Sequence, residues 1–148
     1  MSRAEQELLS RAALTSFRLN GQFLTVAEGL AKPAGLTAAW WQVLGAVLRE
    51  PLPVAGIART MGITRQSVQR IADLLVERGL AAYEPNPAHR RAKLLTPTEE
   101  GRAAIEQIGP GHAEFAVRLT EAVGGEAELA QLVAALERLS GALEGIEG

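Results

Sequence analysis

A chain of 148 residues is long enough for one well-packed domain, or for a small domain with an oligomerisation arm, but not for two independent enzymatic domains. With no cysteine and two histidines, it offers no disulfide framework, thiolate metal site or cysteine redox switch, and a histidine-rich metal site is not expected. No apolar run approaches the roughly 20 residues of a membrane span, and the N-terminus is too acidic for a signal peptide, so we expect a soluble cytoplasmic protein that does not contact membranes.

The formal net charge of −2 is unevenly divided along the chain. Residues 1–50 carry five Lys or Arg and four Glu, a net charge of +1. Residues 51–97 combine seven Lys or Arg with three acids to give +4, whereas residues 98–148 combine three Arg with ten Glu to give −7. Basic charge is therefore concentrated in the middle of the chain, and the acidic C-terminal third would avoid a polyanion.

The first predicted element is a helix from about Glu5 to Gly29, with apolar side chains, Leu8 and Leu9 among them, around much of its circumference. A helix of this kind usually packs on two neighbours, and one of them can belong to a second chain. Residues 32–35 end the helix, because Pro and Gly break helices and favour a turn.

A second helix is predicted after Leu36, with Thr37 as its N-cap. Trp40 and Trp41 are adjacent, so their side chains point about 100° apart on this helix. If Trp41 lies in the core, Trp40 faces a different neighbour. That neighbour is either more of the core, or a ligand pocket or dimer contact.

The next stretch has the pattern of two helices joined by a tight turn at Gly62. After a short extended piece at residues 51–53, we expect one helix over residues 54–61 and a second, opened by Thr64, over residues 64–78. Four polar side chains face outward from the second helix: Arg65, Gln66, Gln69 and Arg70. Arg can bond guanine and Gln can bond adenine through two hydrogen bonds each, and a helix fits the major groove, which predicts a DNA-reading helix-turn-helix. The alternative is an ordinary helical hairpin with a solvated polar face.

Two strands are predicted at residues 80–84 and 91–95, joined by a loop at residues 85–90 that contains two prolines and an asparagine. A hairpin directly after a recognition helix is a wing, here spanning residues 80–95, and its basic tip can lie along the DNA backbone or in the minor groove. The basic residues of this wing are His89, Arg90, Arg91 and Lys93. A solvated turn that is basic by chance is the alternative.

The C-terminal third is predicted to be helical. Either Thr96 or Thr98 can cap a helix whose first turn tolerates Pro97. The Gly-Pro-Gly sequence at residues 109–111 is expected to interrupt or kink this helix. His112, which follows it, is either a surface residue at a helix start or part of a ligand pocket or intersubunit metal site.

The last predicted helix has apolar residues at alternating spacings of three and four, as in the a/d seam of a coiled coil. These residues are Leu129, Leu132, Leu136, Leu139, Leu143 and Ile146. The seam covers about two and a half heptads, which is too short for an independent coiled coil. We expect it to pack with the first helix in an intersubunit bundle.

The order helix, helix, helix-turn-helix, wing and two helices resembles the multiple-antibiotic-resistance regulator (MarR) family of bacterial transcription factors. The segments that carry the resemblance are Leu36–Thr37, Val43–Leu44, Ile57–Arg59, Met61–Ile63, Arg65–Val68, Leu74–Leu80, Arg90–Leu95 and Thr98–Gly101. The resemblance implies a mostly α fold with a small two- or three-stranded β-wing. It also implies a homodimer of intertwined terminal helices, over residues 1–35 and 99–148, around a winged helix-turn-helix lobe at residues 36–98.

The same resemblance implies sequence-specific binding to a pseudo-palindromic operator in double-stranded DNA, with repression relieved by a small aromatic or phenolic ligand. In this chain Thr64 and Ser67, with the helix N-terminus, are expected to bind phosphate. The ligand pocket is expected near Phe17, Trp40, Trp41 and Phe115. The dimerisation residues are expected to be Leu8, Leu9, Leu129, Leu132, Leu136, Leu139 and Leu143.

The chain departs from the family pattern in three places. Many members have an Asp at the start of the wing and an Arg two residues later, where this chain has Asn86 and Ala88. The minor-groove contact then passes to Arg90 or Arg91. Pro97 occupies a position that is usually Leu, and Trp40 a position that is commonly polar.

Two other classes of function fit the sequence less well. The sequence shows no Gly-rich phosphate loop, no metal-ligand cluster, and no Ser or Asp placed near a His as a base would require, so neither an enzyme nor a cofactor is expected. A winged-helix module that mediates only protein contacts is the remaining alternative. The polar helix face and the basic wing argue against it.

Overall fold

The computed structural model of the chain describes residues 2–147. Met1 and Gly148, the outermost residues of the predicted terminal segments, lie outside this range. Within it the elements are α1 (Arg3–Ala31), a 3₁₀ turn (Lys32–Ala34), α2 (Ala38–Ala46), β1 (Leu52–Pro53), α3 (Val54–Met61), α4 (Arg65–Glu77), β2 (Ala81–Glu84), β3 (Leu94–Pro97), α5 (Glu99–Ala122) and α6 (Glu126–Glu147). The expected class, mostly α with a small β-wing, is confirmed. None of the described helices is long and apolar enough to cross a membrane.

The chain divides into two compact units, one ending at Ile108 and the other beginning at Gly109. The division falls inside α5. The first unit contains the core, in which buried side chains of α2, α3 and α4 meet Leu95 of β3 and two residues of α5. The largest fully buried side chains of this core are Leu44, Ile57, Leu75, Leu95, Val43, Val47 and Val68.

The junction between α1 and α2 is held by polar contacts to backbone amides. Gly35 ends the 3₁₀ turn with a φ of 76°, in the left-handed region that glycine adopts without a steric penalty. The Thr37 side chain accepts a hydrogen bond from the amide of Trp40 at 3.1 Å, which confirms the predicted N-cap. Glu28 of α1 adds a second contact, because its carboxylate accepts from the amide of Ala38 at 2.8 Å.

The helix-turn-helix forms as predicted. Helix α3 has the predicted bounds, and Gly62 makes the turn with a φ of 69°. Helix α4 lies within the predicted residues 64–78, with Thr64 as N-cap and Arg78 as C-cap. Its residues Val68, Ala72 and Leu75 are buried, so its opposite side faces outward.

The sheet has the order β1-β3-β2, and both pairings are antiparallel. The second wing strand was predicted at residues 91–95, which is wrong, because the strand is Leu94–Pro97. Leu95 and Pro97 are buried while Leu94 and Thr96 are only partly so, and this alternation fixes the register, with Tyr83 opposite Leu95 and Ala81 opposite Pro97. Pro97 therefore ends a strand instead of opening a helix. Because Pro97 lies beyond the two residues of β3 that pair with β1, its missing amide hydrogen costs the sheet little.

Helix α5 begins after Thr98, whose side chain accepts from the amide of Gly101 at 3.1 Å. An ideal Cβ on Gly101 would lie 2.0 Å from the carbonyl oxygen of Leu80, so only glycine allows this close approach. The interruption predicted at residues 109–111 is wrong, since α5 continues through Pro110. The kink, which was the alternative, stays a prediction. Proline removes one hydrogen bond of the helix, and the turns on either side retain theirs.

Candidate nucleic-acid interface

Helix α4 presents a polar face to solvent. Because Val68, Ala72 and Leu75 point into the core, the side chains that share the opposite face are exposed. This face carries the four side chains predicted to read bases: Arg65, Gln66, Gln69 and Arg70. A protruding helix with guanidinium and amide groups on one face has the shape and the chemistry that the major groove accepts.

The N-terminus of α4 is capped by a pair of hydroxyl groups. The Thr64 hydroxyl accepts from the amide of Ser67 at 3.1 Å and donates to the Ser67 hydroxyl oxygen at 3.0 Å. The hydrogen of the Ser67 hydroxyl is then directed elsewhere. First-turn amides of a helix have no partner within the helix and carry partial positive charge, so this end favours an anion.

Gln69 joins helix α4, the predicted recognition helix, to the wing through a cluster with Asp73 and Tyr83. Its amide nitrogen donates to the Asp73 carboxylate at 3.0 Å and to the Tyr83 hydroxyl at 2.9 Å. The Tyr83 hydroxyl in turn donates to the same Asp73 oxygen at 2.5 Å. Asp73 lies one turn beyond Gln69 on α4, whereas Tyr83 lies on β2, so the three side chains tie these elements together.

The pKa of the Tyr83 phenol is raised from 10.0 to about 12. Burial is the largest cause, followed by the hydrogen bond to Asp73 and the negative charge of that carboxylate, while the hydrogen bond from Gln69 acts in the opposite direction. The phenol is therefore protonated at neutral pH and remains a donor. Neither Asp73 nor Tyr83 was predicted from the sequence. The Gln-Asp spacing of four on one helix was the available signal, but nothing local indicated that the β2 side chain would join them.

The wing loop, residues 85–93, is organised by Asn86. Its amide donates to the carbonyl of Ala92 at 2.9 Å, and its side-chain oxygen accepts from the amide of Ala88 at 3.0 Å. The Asn86 carbonyl also accepts from the amide of His89 at 3.1 Å. An aspartate could accept from Ala88 but could not donate to Ala92, so this wing uses a bond specific to asparagine.

The basic residues predicted for the wing are all exposed, and all lie in this loop: His89, Arg90, Arg91 and Lys93. None of them lies on a strand, because β3 begins three residues later than predicted. Asn86 holds the backbone of this loop through its hydrogen bonds with Ala88, His89 and Ala92. The positive charge is thus carried at the tip of the wing.

A groove of about 600 Å³ runs between α4 and the wing loop. It is lined by Pro53, Val54, Ala55, Arg65, Gln66, Gln69, Tyr83, Arg91, Ala92 and Lys93. Three of these residues are cationic and none is acidic. The structure thus brings part of the predicted base-reading face and part of the predicted wing contact to one positively charged groove.

The residues predicted to line a ligand pocket have different environments. Trp40 and Trp41 are partly buried and pack against the core. The guanidinium of Arg78, the C-cap of α4, lies 5.5 Å from the centroid of the Trp40 ring. Phe17 is 72% exposed on α1, and Phe115 belongs to the second compact unit. Arg78 was not predicted from the sequence, because only the fold brings the end of α4 to α2.

Two terminal helices expose large apolar side chains. In α1 these are Leu8, Leu9, Leu14, Phe17, Phe23 and Leu24. In α6 they are Leu132, Val133, Leu136, Leu139, Leu143 and Ile146, and no described residue of α6 is buried. Leu129, the first residue of the predicted seam, is partly exposed. Exposed apolar surface of this extent marks an interaction site.

Within residues 2–147 there is no group of three or more His, Asp or Glu side chains placed to hold a metal ion. His112 is exposed on α5.

Comparison with known proteins identifies relatives of this chain. A family model described as "MarR family" matches residues 34–92. The uncharacterized protein Rv2011c of Mycobacterium tuberculosis is 39% identical over 115 residues, which cover 78% of this chain and 80% of that protein.

Two solved structures share the fold. A mutant of MarR from E. coli, complexed with operator DNA, is 23% identical, with a TM-score of 0.77 over 93% of this chain and 99% of that chain. CouR from Rhodococcus jostii RHA1, bound to p-coumaroyl-CoA, is 27% identical, with a TM-score of 0.72 over 86% of this chain and 90% of that chain. With its helix-turn-helix, wing and terminal helices, this chain belongs to the MarR family of DNA-binding, winged-helix transcription regulators, which are not enzymes.

Proposed function

We propose that this chain is a ligand-responsive transcriptional repressor that binds a pseudo-palindromic DNA operator as a homodimer. The observation that carries the proposal is the groove between α4 and the wing loop. Arg65 from the helix and Arg91 and Lys93 from the wing line it together. Cations on both sides of a groove attract the phosphates of a DNA strand, and the MarR of E. coli, which shares this fold, was solved in complex with operator DNA.

The roles divide between reading bases and binding the backbone. Arg65, Gln66 and Arg70 reach base edges in the major groove, with Gln69 beside them. The N-terminus of α4, with Thr64 and Ser67, binds a phosphate. The wing cations, from His89 to Lys93, bind the flanking backbone or the minor groove.

The homodimer rests on the exposed apolar faces of α1 and α6. We assign residues 1–35 and 99–148 to dimerisation and residues 36–98 to the DNA-binding lobe. Leu8, Leu9 and the α6 seam, from Leu129 to Leu143, supply the contacts between subunits. A two-fold dimer presents two recognition helices to half-sites about one helical turn apart, on the order of 34 Å.

The effector is a small aromatic or phenolic compound, and CouR, which was crystallised with p-coumaroyl-CoA, supports this chemical class. We propose that the pocket lies near Phe17, Trp40 and Trp41. Trp40 offers a route to DNA, because it contacts Arg78 at the C-terminus of the recognition helix. A ligand that prefers the conformation unable to bind DNA weakens operator binding by the same factor by which DNA weakens ligand binding.

The test is fluorescence anisotropy with DNA from upstream of the chain's own gene and with random DNA of equal length, at two salt concentrations. We expect the upstream fragment to bind at least about 1,000-fold more tightly than random DNA. Equal affinity for both fragments would favour the second candidate, a winged-helix module for protein contacts without specific readout. A panel of aromatic acids and phenols that changes neither Trp fluorescence nor operator affinity would remove ligand control from the proposal.

A further inference from the structure

The Gln69 amide is held by two acceptors that lie on the same side of it. Its nitrogen is 3.0 Å from the Asp73 carboxylate and 2.9 Å from the Tyr83 hydroxyl, and these two oxygens are 2.5 Å apart. Seen from the nitrogen, the two oxygens are therefore only about 50° apart, whereas the two hydrogens of an amide nitrogen are about 120° apart. One hydrogen is thus shared by both oxygens, and the other stays free to donate.

This contact also fixes which way the amide faces. A carboxylate only accepts, so a Gln69 oxygen turned toward Asp73 would meet a negatively charged oxygen to which it could not donate. The nitrogen is therefore held on the side of the cluster. The Gln69 oxygen has no hydrogen-bond partner among residues 2–147. One hydrogen and the oxygen are both available to a base.

The cluster lies at the groove proposed to bind DNA. Gln69 and Tyr83 line this groove together with Arg65 and Arg91, whereas Asp73 is not part of the lining. A carboxylate near DNA repels the phosphates, so Asp73 lowers the affinity for every sequence. A benefit that depends on sequence would offset this loss, and a fixed orientation of a base-reading amide is such a benefit.

The free groups of the Gln69 amide match one base in the major groove. Adenine offers an amino hydrogen at N6 and an acceptor at N7, and a glutamine amide can bond to both at once. We infer that Tyr83 and Asp73 are positioning residues that hold the Gln69 amide, before DNA binds, in the orientation that selects adenine at one position of each half-site. The inference rests on the proposed function and deepens it, because it names one base and two residues that set its recognition without touching it.

The restraint on Gln69 comes from two elements. Asp73 is four residues away on the same helix, a spacing at which such pairs stabilise the helix. Tyr83 is fixed on β2 opposite Leu95, whose side chain is fully buried. Immobilising a mobile glutamine side chain on binding lowers affinity by roughly twofold to tenfold. A side chain that is already ordered avoids this loss, and avoids it only where the amide finds its base.

The experiment first selects binding sites from a randomised half-site library with the full-length wild-type protein and with Gln69→Ala. The position at which the variant loses a preference for adenine is the one that Gln69 reads. Operators are then made with 7-deazaadenine at this position, which replaces only the N7 acceptor by carbon, and affinities are measured by fluorescence anisotropy. Tyr83→Phe and Asp73→Ala test the positioning residues. Gln66→Ala is the matched control, because it removes the same amide from the same helix outside the cluster.

The wild-type protein should bind the 7-deazaadenine operator roughly threefold to tenfold more weakly than the adenine operator, the value of one hydrogen bond. Gln69→Ala should bind both operators equally, and Gln66→Ala should retain the wild-type difference. Tyr83→Phe should lose selectivity for adenine at this position by roughly twofold to tenfold, because the amide must then be ordered on binding. Asp73→Ala should lose selectivity in the same way while its affinity for all sequences rises, since it removes a negative charge.

Three results would overturn the inference. The first is the absence of an adenine preference that depends on Gln69, and the second is equal affinity of the wild-type protein for adenine and 7-deazaadenine operators. The third is full adenine selectivity in Tyr83→Phe or Asp73→Ala, with affinity changed equally for every sequence, as a purely structural role requires. Thermal unfolding checks that each variant is folded, and one folded variant of the two is enough for this test.

The inference and the proposed function fail in different ways. In each of the three results the wild-type protein still selects an operator, so the proposed function stands. A folded wild-type protein that selects no sequence overturns the proposed function, and the inference with it.

Discussion

Replacing Gly101 by alanine would place a methyl group against the backbone at the point where α5 meets the wing. The added Cβ lies 2.0 Å from the Leu80 carbonyl oxygen and 3.1 Å from its carbon, whereas ordinary contact begins at 3.4 Å. Relief needs a movement of 1.4 Å, the difference between 3.4 and 2.0 Å. No rotamer change can provide this movement, because the backbone of residue 101 fixes the position of the added Cβ and the Leu80 carbonyl is itself main chain.

The surrounding hydrogen bonds oppose that movement. The Leu80 carbonyl accepts from the amide of Thr98 at 3.1 Å, and the Leu80 amide donates to the carbonyl of Leu75 at 2.9 Å. Overpacking costs about 1–3 kcal/mol, a lost hydrogen bond adds about 1 kcal/mol, and the helix preference of alanine over glycine returns up to about 1 kcal/mol. The free energy of unfolding should therefore fall by about 1–4 kcal/mol, which for a chain of this size lowers Tm by roughly 3–12 °C.

The assay is urea and thermal unfolding followed by far-UV circular dichroism at one fixed protein concentration, since the proposed dimerisation would make stability depend on concentration. Gly45→Ala is the matched control, because Gly45 lies in a helix and a Cβ there meets nothing within 4 Å. We expect this control to be unchanged or stabilised by up to about 1 kcal/mol. If Gly101→Ala behaves like Gly45→Ala, the close approach of α5 to Leu80 is refuted.

Four further outcomes are expected. Arg70→Ala should weaken operator binding by about 1–3 kcal/mol and relax base preference, and an equal loss on operator and random DNA would count against base readout. Arg90→Ala should reduce the slope of log affinity against log salt by about 0.9 for each half-site, the contribution of one phosphate contact, and therefore by about 1.8 for the proposed dimer, with base preference unaltered in the same titrations. Asn86→Asp should weaken DNA binding while Tm stays within a few degrees, because it removes the bond to Ala92 from an exposed loop; unchanged affinity would mean that this bond does not set the wing. For Tyr83, the unfolded phenol ionises near pH 10.0 and the folded one near 12, so its contribution to stability is present below pH 10.0 and is lost as pH rises through that window; urea unfolding should show a smaller loss across it for Tyr83→Phe than for the wild-type protein.

Local chemistry explains which elements the sequence predicted well. Thr37 and Thr64 cap helices through bonds to amides three residues away, and Gly62 makes a turn that its own backbone permits. Such contacts depend on a few adjacent residues, so their pattern is visible without the fold. The polar face of α4 could also be predicted, because the apolar residues that are buried recur with the period of a helix.

The wrong predictions involve contacts between distant residues. The start of β3 depends on pairing with β2 and on a loop closed by Asn86, whose bond to Ala92 spans six residues. The continuity of α5 through Pro110 could not be read from a sequence in which Gly-Pro-Gly is a strong breaker. The cluster of Gln69, Asp73 and Tyr83 was missed because it depends on a contact between distant residues: Tyr83 is fourteen residues from Gln69 and on another element.

Asn86 is followed by Pro87, and this order has a consequence for the chemical lifetime of the wing. Asparagine converts to aspartate when the nitrogen of the next backbone amide attacks the side-chain carbonyl and expels ammonia, and water then opens the cyclic imide. Proline has no amide hydrogen, and its nitrogen is closed in a ring, so this attack is blocked. The side chain that holds the wing loop through a donor that aspartate lacks is thus placed where spontaneous conversion to aspartate is suppressed.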